Sequence, residues 1–159
     1  MNNGLLAAAL MLSAGLPVPL ESFCVRPGDS IEAVHKQCRV VSEGVDYTEE
    51  GTLPHLKVAY GRDVVSLDIY DGKIDLIQFR RGLLPFPGVA LGDDLGSIKR
   101  SNPSLELRSM QGEEGYLVSL KDSRRCMSLI FEAGHISDAD FKQEKFDDLK
   151  LVGINWVVC

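Results

Sequence analysis

Two pairs of similar segments, in the same order and at nearly the same spacing, are the feature that most constrains this chain of 159 residues. Residues 25–36 align with residues 89–100 at a constant offset of 64. Residues 64–74 align with residues 126–136 at an offset of 62, and a deletion of two residues between the segments accounts for the difference. Ordered similarity of this kind predicts an internal repeat, in which each copy contributes the same supersecondary unit.

Each copy is predicted to begin with a short helix. In the first copy, Asp29 and Glu32 form the pattern of an acidic capping box, which predicts a helix of about ten residues. In the second copy Asp93 or Asp94 can cap the helix, and Pro103 ends it.

After each predicted helix, apolar residues alternate with polar ones, which is the pattern of half-buried strands. Asp71-Gly72 is a strong signal for a two-residue hairpin turn, in which Ile69 would face Ile74 and Leu67 would face Leu76. Further strands are predicted at 56–60, 116–120, 127–131, 136–141 and 149–159, with Gly134 at a turn. The predicted fold class is α+β, with two tandem repeats. Each is a short helix followed by a meander of three or four antiparallel strands, and the helices pack on one side of the sheets.

These patterns divide the chain into a signal segment and two repeats. Residues 1–22 carry an uncharged apolar run that is too short to span a bilayer and is typical of a secretory signal peptide. A buried N-terminal helix in a cytosolic protein is the alternative. The first repeat would then cover residues 23–81 and the second residues 89–159, including the closing strand. The linker 82–88 is rich in proline and glycine but also apolar, so we expect it to pack across both halves.

Four cysteines follow the signal segment, at Cys24, Cys38, Cys126 and Cys159. An even number in a small exported protein favours two disulfides, for which three connectivities are possible. We favour Cys24 with Cys38 and Cys126 with Cys159, because each pair then closes within one repeat. Four reduced, buried thiols in a cytosolic protein are the alternative.

The net charge of −6 argues against a nucleic-acid partner, which normally requires a basic patch. The acidity fits a basic protein partner, although solubility alone also explains it. His35, His55 and His135 share no metal-ligand spacing, and the acidic residues near 138–148 lack the pattern of a calcium loop. No nucleophile elbow or phosphate loop is present. We therefore expect no cofactor, no metal and no enzymatic activity.

The segments Gly28-Asp29-Ser30 with Val34, and Gly92-Asp93-Asp94 with Ile98, stand at the start of the two predicted helices. Together with the helix-then-strands order, they resemble the tandem-repeat β-lactamase inhibitor proteins and the small outer-membrane assembly lipoproteins of the BamE/SmpA type. The resemblance implies a secreted binding module that uses an open sheet surface and loops against a protein.

Aromatic and arginine side chains most often carry the binding energy of a protein interface. The candidates for partner binding are Tyr60, Tyr70, Phe79, Arg80, Arg81, Phe86, Arg124, Arg125 and Trp156. We predict a periplasmic or secreted inhibitor or immunity-type protein that blocks a toxic or lytic enzyme by surface complementarity, without stable membrane insertion. An envelope-assembly or scaffold module and a carrier of a small apolar ligand are the alternatives.

Overall fold

The computed structural model describes residues 20–112, 115–132 and 146–159. These residues form two α-helices and eight strands, with 3-10 turns at Leu20–Ser22 and Phe146–Asp148. The helices are α1 (Ile31–Gln37) and α2 (Leu95–Ser101). The strands are β1 (Val40–Thr48), β2 (Gly51–Tyr60), β3 (Asp63–Tyr70), β4 (Lys73–Phe79), β5 (Glu106–Gly112), β6 (Gly115–Asp122), β7 (Met127–Phe131) and β8 (Leu151–Val157).

All eight of these strands belong to one antiparallel sheet, in the order β1-β2-β3-β4-β8-β7-β6-β5. The prediction of two tandem helix-plus-meander repeats is therefore wrong. The last strand of the chain lies between β4 and β7 and pairs with both, for example through Trp156 with Ile77 and with Met127. Because this strand makes ladder hydrogen bonds on both sides, the two halves of the chain share one sheet and are not separate units.

The helices are short and lie against one face of the sheet, where Val34 of α1 and Leu95 and Ile98 of α2 join the apolar core. Ser30, and not Asp29, is the N-cap of α1, and its hydroxyl accepts a hydrogen bond from the amide of Ala33 at 3.2 Å. The α1 helix has seven residues, fewer than the predicted ten or so. Helices of this length have little stability of their own, so packing against the sheet stabilises them.

Backbone hydrogen bonds tie the start of each helix to the start of a central strand. The amide of Ile31 donates to the carbonyl of Gly72 at 3.0 Å, just before β4. In the same way the amide of Leu95 donates to the carbonyl of Leu149 at 2.9 Å, just before β8. These bonds satisfy amides that a helix leaves without intrahelical partners, and they position both helices over the middle of the sheet.

The predicted hairpin at Asp71-Gly72 is present, with Tyr70 opposite Lys73 and Ile69 opposite Ile74. Beyond that point the register differs from the prediction, because an irregularity between Asp68 and Ile69 places Leu67 opposite Ile77 instead of Leu76. The effect is to keep Leu67 and Ile77 together in the core, where both are fully buried. The alternation predicted for Leu56, Val58 and Tyr60 is confirmed, since all three are buried.

The structure contains both favoured disulfides, Cys24–Cys38 and Cys126–Cys159. The first fastens the segment before α1 to the end of that helix, and the second fastens the end of the chain to the turn between β6 and β7. Leu84 and Phe86 of the linker are buried in the core. The predicted signal segment, apart from its last three residues, and the predicted strand at 136–141 with its turn at Gly134 lie outside the described residues.

Candidate binding surface

The predicted interface residues fall into two groups. Tyr60, Phe79, Phe86 and Trp156 are buried, each with less than a tenth of its surface exposed. Three of them form a cluster of edge-to-face aromatic rings around Phe23, at centroid distances of 5.4–6.4 Å. Burial also raises the pKa of the Tyr60 hydroxyl. These four side chains stabilise the core, and little of their surface is open to a partner.

The exposed candidates do not come together in one place. Tyr70 ends β3 and is 67% exposed, Arg81 immediately precedes the linker, and Arg124 and Arg125 lie in the turn between β6 and β7. The guanidinium of Arg125 lies 5.1 Å from the centre of the Phe86 ring. This contact connects the turn to the linker, so Arg125 has a structural role there.

Asp122 organises that turn. Its carboxylate accepts hydrogen bonds from the amides of Arg124 and Arg125 at 3.0 and 3.2 Å and from the Arg125 guanidinium at 2.7 Å. Burial by itself would raise the pKa of Asp122, but the hydrogen bonds from both arginines outweigh it and hold the pKa below its ordinary value. The carboxylate is therefore charged, and its oxygens accept hydrogen bonds within the turn.

The face of the sheet opposite α1 and α2, which we call the outer face, receives side chains from all eight described strands. Cross-strand pairing aligns one polar side chain from each of the eight strands into a single row over this face. In sheet order the row is Ser42, Lys57, Ser66, Gln78, Asn155, Ser128, Lys121 and Glu106. At about 4.8 Å between strands the row is about 34 Å long.

The middle of this row consists of short uncharged side chains, and charged ones stand toward the ends. Ser66, Gln78, Asn155 and Ser128 are half-buried by their neighbours. Gln78 is held by a hydrogen bond from its amide to the carboxylate of Asp68 at 2.6 Å. Because short or already fixed side chains lose little rotamer freedom when a partner covers them, such a surface binds at a low entropic cost.

Two predicted interface residues belong to the outer face: Tyr70, at its margin where β3 ends, and Arg80, near its centre. The Arg80 guanidinium lies across β8, donating to the carbonyl of Ile154 at 3.1 Å and to the side-chain oxygen of Asn155. Gly153 makes room for it, since a Cβ there would lie 2.5 Å from the Arg80 Nη1 atom. Burial lowers the pKa of Arg80, and the nearby Asp68 carboxylate opposes that shift. The side chain is thus fixed in place in the centre of the sheet.

Sequence reasoning missed the polar row because its members come from eight strands and form no local motif. The period-two pattern marks these positions as the polar side of each strand, but it does not show which strands are neighbours. The place of β8 between β4 and β7 decides that Gln78, Asn155 and Ser128 are adjacent.

The described residues contain no group of three or more metal-ligating side chains. His35 Nε2 lies 3.3 Å from Glu43 Oε1, and His55 Nδ1 lies 3.3 Å from Asp46 Oδ2. His135 lies outside the described residues. No helix in the described part of the chain is long and apolar enough to cross a bilayer.

Comparison with known proteins finds a similar fold but identifies no function. No family model matches the chain, and no curated protein matches it in sequence. The crystal structure of the uncharacterized protein YfeY from Escherichia coli is similar, with a TM-score of 0.55 and 14% identity over 85% of this chain and 92% of that chain. At this identity the similarity concerns the fold alone. It does not bear on the resemblance to β-lactamase inhibitors or assembly lipoproteins, which stays a prediction.

The two disulfides indicate a small exported protein, because such bonds form and persist in oxidising compartments.

Proposed function

We propose that this chain is an exported binding protein without chemistry of its own, which blocks a toxic or lytic enzyme by covering it with the outer face of the sheet. The observation that carries the proposal is the row of polar side chains that crosses all eight described strands. With strands of about seven residues, the outer face measures about 34 by 20 Å. That is close to the roughly 800 Å² that one partner contributes to a protein–protein interface of standard size.

The composition of the outer face supports a protein partner over a small ligand. A small-molecule site is usually concave and apolar, with a few convergent polar groups. The centre of the outer face instead presents short polar groups in a broad row, with Arg80 fixed among them by three hydrogen bonds. Arginine held in this way is pre-organised for an interface, since binding does not have to order it.

The net charge of −6 supports a basic enzyme as the partner, because opposite charge accelerates encounter. Enzymes that act on anionic cell-wall polymers are often basic, and an exported inhibitor would meet them in the same compartment. The resemblance to β-lactamase inhibitor proteins, which also act as secreted binding modules, supports the same proposal.

Affinity capture from the envelope of the native host tests the proposal. The tagged wild-type chain is expected to retain a basic lytic enzyme. Ser128→Arg places a long cation in the centre of the outer face and should abolish capture while leaving the chain folded. Ser104→Arg makes the same chemical change in an exposed loop outside the sheet and should capture as well as wild type.

Two results would contradict this proposal. Equal capture by the folded Ser128→Arg variant would remove the outer face from the interface. Retention of outer-membrane barrel proteins in place of an enzyme would favour the envelope-assembly alternative.

A further inference from the structure

The strand β1 forms one edge of the sheet, and it pairs only with β2 among the described strands. Pro54 of β2 stands opposite Val45 and has no amide hydrogen to donate, so this pair is of the type without hydrogen bonds. Since pair types alternate along an antiparallel ladder, the amides and carbonyls of Glu43, Val45 and Tyr47 point away from the sheet. No other described strand pairs with these backbone groups, so the edge offers them in a row to an added strand.

This edge is long, and in the described part of the chain its protection consists of a bulge between Val40 and Ser42 and of acidic side chains. Natural sheets usually shield an edge by making it short or by covering it, because it is a template for pairing with another chain. Here the strand runs for nine residues, and it exposes Val41, Val45 and Tyr47 by 53%, 45% and 87%. Val45 and Tyr47 lie on the helix side of the strand, whereas Asp46 lies on the outer face.

The acidic residues around the edge favour a basic partner. Residues 40–53 contain four carboxylates, at Glu43, Asp46, Glu49 and Glu50, and no lysine or arginine. A second copy paired through the same strand would bring these acidic residues against one another, which is unfavourable. Two of the four carboxylates lie 3.3 Å from histidines, Glu43 from His35 and Asp46 from His55, whereas at the other described edge, β5, the acidic Glu106 is paired with the permanently charged Arg108.

We propose that the β1 edge takes up an extended segment of the partner as an added strand, in which basic side chains alternate with apolar ones. This inference rests on the proposed function and specifies how the partner is held. In such a strand the apolar side chains would lie beside Val45 and Tyr47, and the basic ones would meet Asp46 on the outer face. Backbone hydrogen bonds would supply affinity, and the alternation would supply specificity.

The test uses a synthetic probe, so that it does not depend on finding the enzyme. An octapeptide of alternating lysine and valine, blocked at both ends, is titrated into the full chain labelled with 15N. Saturable shift changes are expected in the amides of residues 41–48. Exchange of the Glu43, Val45 and Tyr47 amides with solvent should slow by about tenfold or more as they acquire acceptors.

Two variants and a second peptide provide the controls. Val45→Pro removes an outward-facing amide hydrogen but no donor of the ladder with β2. It should lower the affinity for the peptide at least about tenfold. Asp46→Lys should lower the affinity for the peptide by a similar factor. Asp75→Lys on β4 changes the net charge by the same amount and should leave the affinity unchanged. A peptide of alternating glutamate and valine should not bind.

Several outcomes would overturn the assignment. These are equal binding of the glutamate peptide, shift changes at Gln78 and Asn155 or along β5 without any in residues 41–48, unchanged affinity of both β1 variants, and a concentration-dependent dimer of the free chain paired through β1. None of these outcomes affects the capture experiment with Ser128→Arg. Failure of the strand-addition proposal can therefore be told apart from failure of the proposed enzyme-blocking function.

Discussion

Replacing Gly153 with alanine tests the contact between the two halves of the sheet. Gly153 lies in β8, and a Cβ atom there would stand 2.5 Å from the carbonyl oxygen of Phe79 and 2.5 Å from the guanidinium of Arg80. Arg80 can move aside, but the Phe79 carbonyl is backbone of the neighbouring strand β4. The clash is therefore relieved only if β8 moves away from β4.

Two opposing effects determine how much Gly153→Ala changes the free energy of unfolding. Alanine in place of glycine inside a strand normally stabilises by about 0.5–1 kcal/mol, because the unfolded chain loses freedom. Overpacking against a fixed neighbour costs about 1–3 kcal/mol. We expect a net loss of about 1–2 kcal/mol in the free energy of unfolding, and a fall in Tm of about 2–8 °C.

Urea denaturation followed by tryptophan fluorescence measures this loss, because Trp156 is the only tryptophan and lies in β8. Adding Arg80→Ala to Gly153→Ala should recover little or none of the stability, since it removes the side-chain clash but not the backbone one. A Gly153→Ala variant as stable as wild type would refute the close approach of β4 and β8 at this position.

Three further predictions concern individual contacts. Arg80→Ala should lower the free energy of unfolding by about 1–2 kcal/mol, because it removes the hydrogen bonds from the guanidinium to Ile154 and Asn155 of β8, whereas Arg81→Ala should be neutral in the same urea assay. Asp122→Asn should cost about 1–3 kcal/mol at pH 7. Because the pKa of Asp122 is lowered on folding, this contribution is present above the unfolded pKa of about 4 and is lost as the pH falls through the folded value. The difference from wild type should accordingly shrink at pH 2.5, and a constant difference would contradict the charged hydrogen bonds. Replacing Cys126 and Cys159 together by serine should cost about 4 kcal/mol in calorimetry, since their bond closes a loop with a sequence separation of 33 residues.

Local signals in the sequence predicted the local structure well. The Asp71-Gly72 turn and the strand alternation at 56–60 depend on neighbouring residues, and the structure confirms both. The aligned segments also fall on α1 and α2. The edge strand β1 was missed, since an edge strand buries few side chains and its alternation of apolar and polar residues is weak.

The assembly of these elements depends on pairing between residues far apart in the chain. The insertion of β8 between β4 and β7 has no local signal, and it turns two predicted modules into one sheet. The same limit applies to the candidate site. Aromatic residues suit an interface and a core equally well, and only the packing reveals that Tyr60, Phe79 and Trp156 are buried.

Titration of the captured enzyme with the purified chain tests the central claim most directly, namely that the outer face blocks an exported enzyme. Lytic activity is measured at increasing ratios of chain to enzyme, with wild type, Ser128→Arg and Ser104→Arg in parallel. Wild type and Ser104→Arg should abolish activity near one equivalent, and Ser128→Arg should leave it intact. An enzyme that remains fully active when saturated with the wild-type chain would contradict the account.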